Sequence, residues 1–128
     1  MVMEVNGYKI FPGADLTDAD LTDANLYFPN LSPAGLLGTN LTGANLSDAN
    51  LSGAYLGDAN LSRANLKSAN LTDADLTDAN LTDTNLTDTN LTGADLTGAA
   101  LSAANLTGAN LTDADLTDAT MPDGSIHG

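Results

Sequence analysis

The sequence predicts an all-β solenoid, and three observations carry that prediction. Leucine recurs at every fifth residue: all 21 positions from Leu16 to Leu116 are leucine, and the frame extends to Phe11 and Met121, giving 23 units without an insertion. Two residues before each centre from Leu16 to Met121 the residue is alanine, except at Pro29, Thr39, Thr84 and Thr89. Each unit reads alanine, then Asn or Asp, then leucine, then Thr or Ser, then a free position, as in the run from Asn65 to Asp83. On an α-helix, at about 100° per residue, leucines five apart would land about 140° from one another and spray around the axis. On a straight strand they would alternate between opposite faces. The chain must therefore bend once per unit, so that leucine and alanine point into a common interior. Stacking such coils at about 4.8 Å satisfies the backbone between neighbours, which explains why many units are needed.

Residues 11–121 thus resemble the pentapeptide repeat proteins. The resemblance implies a right-handed parallel β-helix, a quadrilateral solenoid with four pentapeptides per coil and about five to six coils. Bending alone does not supply the number four. The tail from Ala119 to His127 also resembles endings common among cyanobacterial members of that family.

The elements follow in order. Residues 1–10, with Val2, Val5, Tyr8 and Ile10, depart from the rule and read as an N-terminal cap, since an open coil end exposes unpaired backbone groups. Asn6-Gly7 is a turn signal between two short extended runs. In the repeat, residues 11–121, Tyr27, Phe28, Pro29 and Pro33 disturb the pattern without breaking the frame. Proline cannot donate a ladder hydrogen bond, so Pro29 is expected at a corner or a local defect. Tyr27 and Phe28 are expected to shield the early coils. Residues 122–128 form a short tail opened by Pro122-Asp123-Gly124, a turn sequence. That end is less protected, so the expected state is a monomer or an end-to-end dimer.

Composition narrows the function. At 128 residues the chain is one domain, and it contains no cysteine, so disulfides and thiolate metal sites are excluded. It has no apolar run long enough for a membrane span and no usual signal-peptide pattern, so a cytoplasmic protein is expected. Seventeen acids against three bases give a net charge of −14, which opposes direct binding to nucleic acid or anionic lipid. The lone histidine, His127, has no partner to orient it as a base. The acids match no calcium-loop spacing, and the glycines mark turns rather than a phosphate loop. No catalytic residue, cofactor or metal is expected; an enzyme is not the reading.

With the 20-residue coil that the resemblance implies, the residues preceding the leucines form vertical columns. Two are asparagine ladders, Asn30-Asn50-Asn70-Asn90-Asn110 and Asn25-Asn45-Asn65-Asn85-Asn105, whose stacked amides are structural. A third reads Asp15, Gly35, Tyr55, Asp75, Asp95, Asp115, and the corners of the same side carry Asp18, Asp58, Asp78 and Asp118. Eight of 17 acids therefore gather on one side of four. Like charges stacked at about 4.8 Å are expected to raise the carboxyl pKa values in that column. Leu37 and Tyr55 place a small outward apolar spot on this side. Together these ten residues form a candidate acidic interaction face for a protein partner, against the plainer reading of a solvated surface.

The resemblance also implies an alternative, because some pentapeptide repeat proteins mimic DNA and bind type II topoisomerases. A rod of about 28 Å with 14 net charges carries about 0.5 charge per Å, against about 0.6 for duplex DNA. Against mimicry, those members are typically longer, often centred on phenylalanine, and carry a C-terminal helix that pairs two rods.

Overall fold

The computed structural model describes residues 3–26, 30–32 and 34–128. Strands β1 (Met3–Val5) and β2 (Tyr8–Ile10) form an antiparallel hairpin, with Met3 opposite Ile10 and Val5 opposite Tyr8. Asn6 and Gly7 join them with φ of 51° and 83°. Two successive positive angles are what a two-residue type I′ turn requires, and Asn-Gly supplies them at low cost. Ile10 belongs to the core, and Val5 and Tyr8 pack against it.

Beyond the hairpin each unit repeats one hydrogen-bond scheme. In the first coil Leu16 N–H donates to Gly35 O at 2.7 Å, Asp18 N–H to Leu37 O at 3.0 Å, and Gly35 N–H to Ala14 O at 2.9 Å. Parallel bridges join residues 20 apart up every column, for example Asp15 to Gly35 and Gly35 to Tyr55. The coil therefore holds four units, and the fold is a right-handed quadrilateral β-helix. The faces are numbered here from the columns that begin at Asp15, Asp20, Asn25 and Asn30.

The corners explain the position that the sequence pattern leaves free. Ala19 N–H donates to Leu16 O at 3.0 Å, closing a β-turn whose third residue, Asp18, has φ of 60°. A positive angle at that position is the mark of a type II turn. Glycine enters it freely, and aspartate is among the few side chains that visit it routinely. Ten aspartates stand there: Asp18, Asp23, Asp48, Asp58, Asp73, Asp78, Asp83, Asp88, Asp113 and Asp118.

Inside, the leucines at the unit centres from Leu21 to Leu101 are at most 1% exposed, and the alanines fill the space between them. Three alanine positions are taken by Thr39, Thr84 and Thr89. Their hydroxyls donate to Leu16 O at 2.8 Å, Leu61 O at 2.7 Å and Leu66 O at 2.7 Å, so burial leaves no donor unpaired. Among the described residues no helix is long and apolar enough to cross a membrane.

The ends differ from the sequence frame. Phe11, in frame as a centre, is 44% exposed, whereas Ile10 is 4% exposed. The turn from Phe11 to Ala14 keeps the repeat geometry, with Ala14 N–H on Phe11 O at 3.0 Å, but strand β2 delivers its last side chain, not the next one, to the core. At the other end Leu106, Leu111, Leu116 and Met121 are only partly buried. The tail returns antiparallel, with Ile126 opposite Thr120 and His127 N–H on Ala119 O at 2.8 Å, and so caps the end of the second-face column. Tyr27 and Phe28, expected to shield the early coils, Pro29, expected at a corner or a local defect, and Pro33 lie outside the described residues.

Candidate interaction face

The residue before each leucine builds the surface through its side-chain oxygen. Asn70 Oδ1 accepts the Thr72 N–H at 3.0 Å and the Thr72 hydroxyl at 2.6 Å. This is an Asx turn, in which a short side chain two residues back substitutes for a backbone acceptor. Most units repeat it, on all four faces. It, rather than amide stacking, is the main task of the asparagine columns. Amide bonds between coils occur at Asn45 to Asn25, 3.5 Å, and Asn50 to Asn30, 3.2 Å.

On the first face aspartate performs the same task. Asp75, Asp95 and Asp115 accept from the N–H of Thr77, Thr97 and Thr117 at 3.0 Å and from their hydroxyls at 2.6 Å. Asp15 does so with Thr17, at 3.2 and 2.7 Å. At Asp115 these bonds correct the sequence expectation of a raised pKa. The Thr117 hydroxyl, and after it the Thr117 N–H, hold the Asp115 carboxyl below its ordinary range. The Thr17 hydroxyl and N–H do the same for Asp15. At both positions hydrogen bonding to the charged form sets the direction.

Asp18, Asp58, Asp78 and Asp118 stand at the turns between the first and second faces, so each borders two faces rather than belonging to one. Asp73 and Asp113 stand at the turns leading from the fourth face into the first, and also border it. Counting columns alone missed them; the turn position shows them. All three bases, Lys9, Arg63 and Lys67, lie elsewhere: in β2, at a corner between the second and third faces, and on the third.

Leu37 and Tyr55 occur in adjacent coils of this face, 49% and 59% exposed. Tyr55 pairs with Gly35 in the bridge column. Leu37 begins the turn of its coil and lies over Gly57, where an added Cβ would meet Leu37 Cδ1 at 3.1 Å. The structure thus brings all ten sequence-predicted residues onto or beside one face. Among the described residues no group of His, Asp and Glu side chains is placed to hold a metal ion.

The sequence matches the family model for pentapeptide repeats in eight copies, over residues 10–32, 30–63, 44–83, 59–98 and 84–121. A search of curated proteins returned no match. Among solved structures, a pentapeptide repeat protein of the Arabidopsis thaliana thylakoid lumen is 33% identical, with a TM-score of 0.62 over 87% of this chain and 70% of its own. HetL, a pentapeptide repeat protein involved in heterocyst differentiation regulation in the cyanobacterium Nostoc sp. strain PCC 7120, is 35% identical, with a TM-score of 0.37 over 88% of this chain and 66% of its own. Rfr23, a pentapeptide repeat protein from the cyanobacterium Cyanothece 51142, is 36% identical, with a TM-score of 0.34 over 75% of this chain and 58% of its own. Five-residue units, 20-residue coils and a family match spanning residues 10–121 agree: the chain belongs to the pentapeptide repeat family.

Proposed function

We infer that the protein is a non-catalytic interaction scaffold, a rigid rod that presents its first face to a basic region of a protein partner. One observation supports this reading above the others. Asparagine and aspartate make the same Asx turn, to the tenth of an ångström at Asn70 and Asp75, so the fold is indifferent between them. Yet of the five aspartates at that position, Asp15, Asp20, Asp75, Asp95 and Asp115, four are on the first face, while the third and fourth faces use asparagine. Charge placed where folding does not ask for it, without a compensating base, favours a cationic partner.

The cytoplasm is the compartment this reading assumes. The Arabidopsis relative is a lumenal protein, so the fold itself does not choose the compartment. DNA mimicry is the second reading, and charge density favours it. The ten corner aspartates add charge at all four edges of the rod, as a mimic requires.

The test is capture from an extract of the source organism on immobilised protein, with two variants of equal charge. Asp75→Asn/Asp95→Asn/Asp115→Asn should lose a partner that the wild type retains, and Asp48→Asn/Asp83→Asn/Asp88→Asn should keep it. Equal retention by both variants would leave the face a solvated surface. Equal loss by both, with a type II topoisomerase as the retained protein, would favour mimicry.

A further inference from the structure

Two consecutive coils of the first face abandon the Asx turn. Gly35 and Tyr55 stand where aspartate stands elsewhere in the column, and Leu37 and Gly57 stand where threonine does. The Leu37 and Gly57 N–H groups therefore lose the acceptor that Thr77 and Thr97 have, and among the described residues no other acceptor replaces it. Gly57 is buried under Leu37, but Leu37 is exposed, and the equivalent N–H of Thr77 is aimed at the Asp75 oxygen, whose counterpart is missing at Gly35. Ser102, behind Ala100, is also without this acceptor, but the residues at the equivalent position in the coils below and above it are Thr82 and Pro122.

Gly57 makes room for Leu37, but nothing in the fold demands Gly35, Leu37 or Tyr55. The φ angles of Gly35 and Gly57 lie outside the left-handed region, and a Cβ at Gly35 would meet Asp15 Oδ1 at an ordinary 3.5 Å. The exchange gives up hydrogen bonds and exposes two large apolar side chains, a local violation of the rules the rest of the chain obeys. Such violations are expected at functional sites.

We propose that the notch at Gly35, between Asp15 below and Tyr55 above with Leu37 beside it, is the docking point for an extended basic segment of a protein partner. A carbonyl oxygen of that segment takes the place of the missing Asx oxygen and accepts the Leu37 N–H. Its Arg or Lys side chains reach Asp15 and Asp75, with the Tyr55 ring as a platform for one cation. Charge selects this occupant: a second copy of the chain, at net charge −14, would bring acid against acid. The proposal rests on the first face being the binding face, and deepens it by naming the contact.

The test uses two cationic probes on the 15N-labelled full chain: the peptide acetyl-Gly-Arg-Gly-Arg-Gly-amide, and spermine, which has charge but no carbonyl. The peptide should bind the wild type with its largest amide shift at Leu37. Gly35→Asn fills the notch and returns the missing acceptor, and should weaken peptide binding about tenfold while leaving spermine binding unchanged. Its melting temperature confirms that the variant is folded. If the peptide binds wild type and variant equally, the notch is not the docking point, although the acidic face stands. If neither probe binds the wild type, both readings fall. Concentration-dependent self-association of the wild type that Gly35→Asn abolishes would assign the notch to a second copy and overturn the proposal.

Discussion

Replacing Gly35 by asparagine should make the protein more stable, and the size of the gain follows from the neighbouring coils. The new amide would stand as Asn70 does, accepting the Leu37 N–H at a distance near the 3.0 Å seen between Thr72 N and Asn70 Oδ1. One such bond contributes about 0.5–1.5 kcal/mol net. Removing a glycine whose backbone angles suit any residue adds about 0.4–1 kcal/mol by restricting the unfolded chain. The sum is about 1–2.5 kcal/mol, and for a domain of this size each kcal/mol moves the melting temperature by about 4 °C. Circular dichroism melts, followed by denaturant titration at constant m value, would measure it. Adding Leu37→Thr supplies the hydroxyl for the second bond of the Asx turn and should raise stability again. A neutral or destabilised Gly35→Asn would refute the reasoning: the Leu37 N–H would then be as well satisfied in the native rod as the Thr72 N–H.

Leu71→Ala, at a side chain with 0% exposure in mid-rod, should cost about 2–5 kcal/mol, and the same change at the partly buried Leu111 about half as much, both read as denaturant midpoints. Thr72→Ala should cost only about 0.5–1.5 kcal/mol, the hydroxyl bond to Asn70. Gly98→Ala should cost about 1–2 kcal/mol, because φ is +70° there and the new methyl displaces the Asp78 carboxylate leaning over it. For Asp115 the folded pKa lies below the unfolded one, so its contribution is present above the ordinary carboxylate pKa and is lost as pH falls through the folded value. Asp115→Asn should therefore show a smaller loss of melting temperature between pH 5 and about pH 2.5 than the wild type.

The period of five, read with elementary backbone geometry, excluded helix and straight strand and placed the leucines inside. It could not say that four bends close a coil, because that number depends on the turn: a type II corner with a left-handed third residue, visible only as a preference for Gly and Asp at positions such as Gly98 and Asp78. Once the corner is known, ten aspartates have a backbone reason to be present, and the surplus charge reduces to the Asx positions. The sequence stacked Asp75, Asp95 and Asp115 correctly, yet the threonines that stabilise the charged form at Asp115 were hidden, since Thr77, Thr97 and Thr117 look like solvated surface until their hydroxyls are seen to point back. Phe11 was misplaced for a different reason. A periodic pattern cannot show where an antiparallel hairpin takes over the core, and there Ile10 does.

Carboxylate footprinting on the captured complex tests the central claim most directly, because it reads which acids a partner covers without substituting any of them. Carbodiimide labelling with mass-spectrometric quantification, in the free and bound states, should show protection at Asp15, Asp75, Asp95 and Asp115 and at the bordering corners Asp18, Asp58, Asp78 and Asp118. Asp48, Asp83 and Asp88, which stand at corners away from the first face, should label equally in both states. Equal protection of Asp48, Asp83 and Asp88 would contradict the account, since the partner would then read the charge of the whole rod and not one face of it.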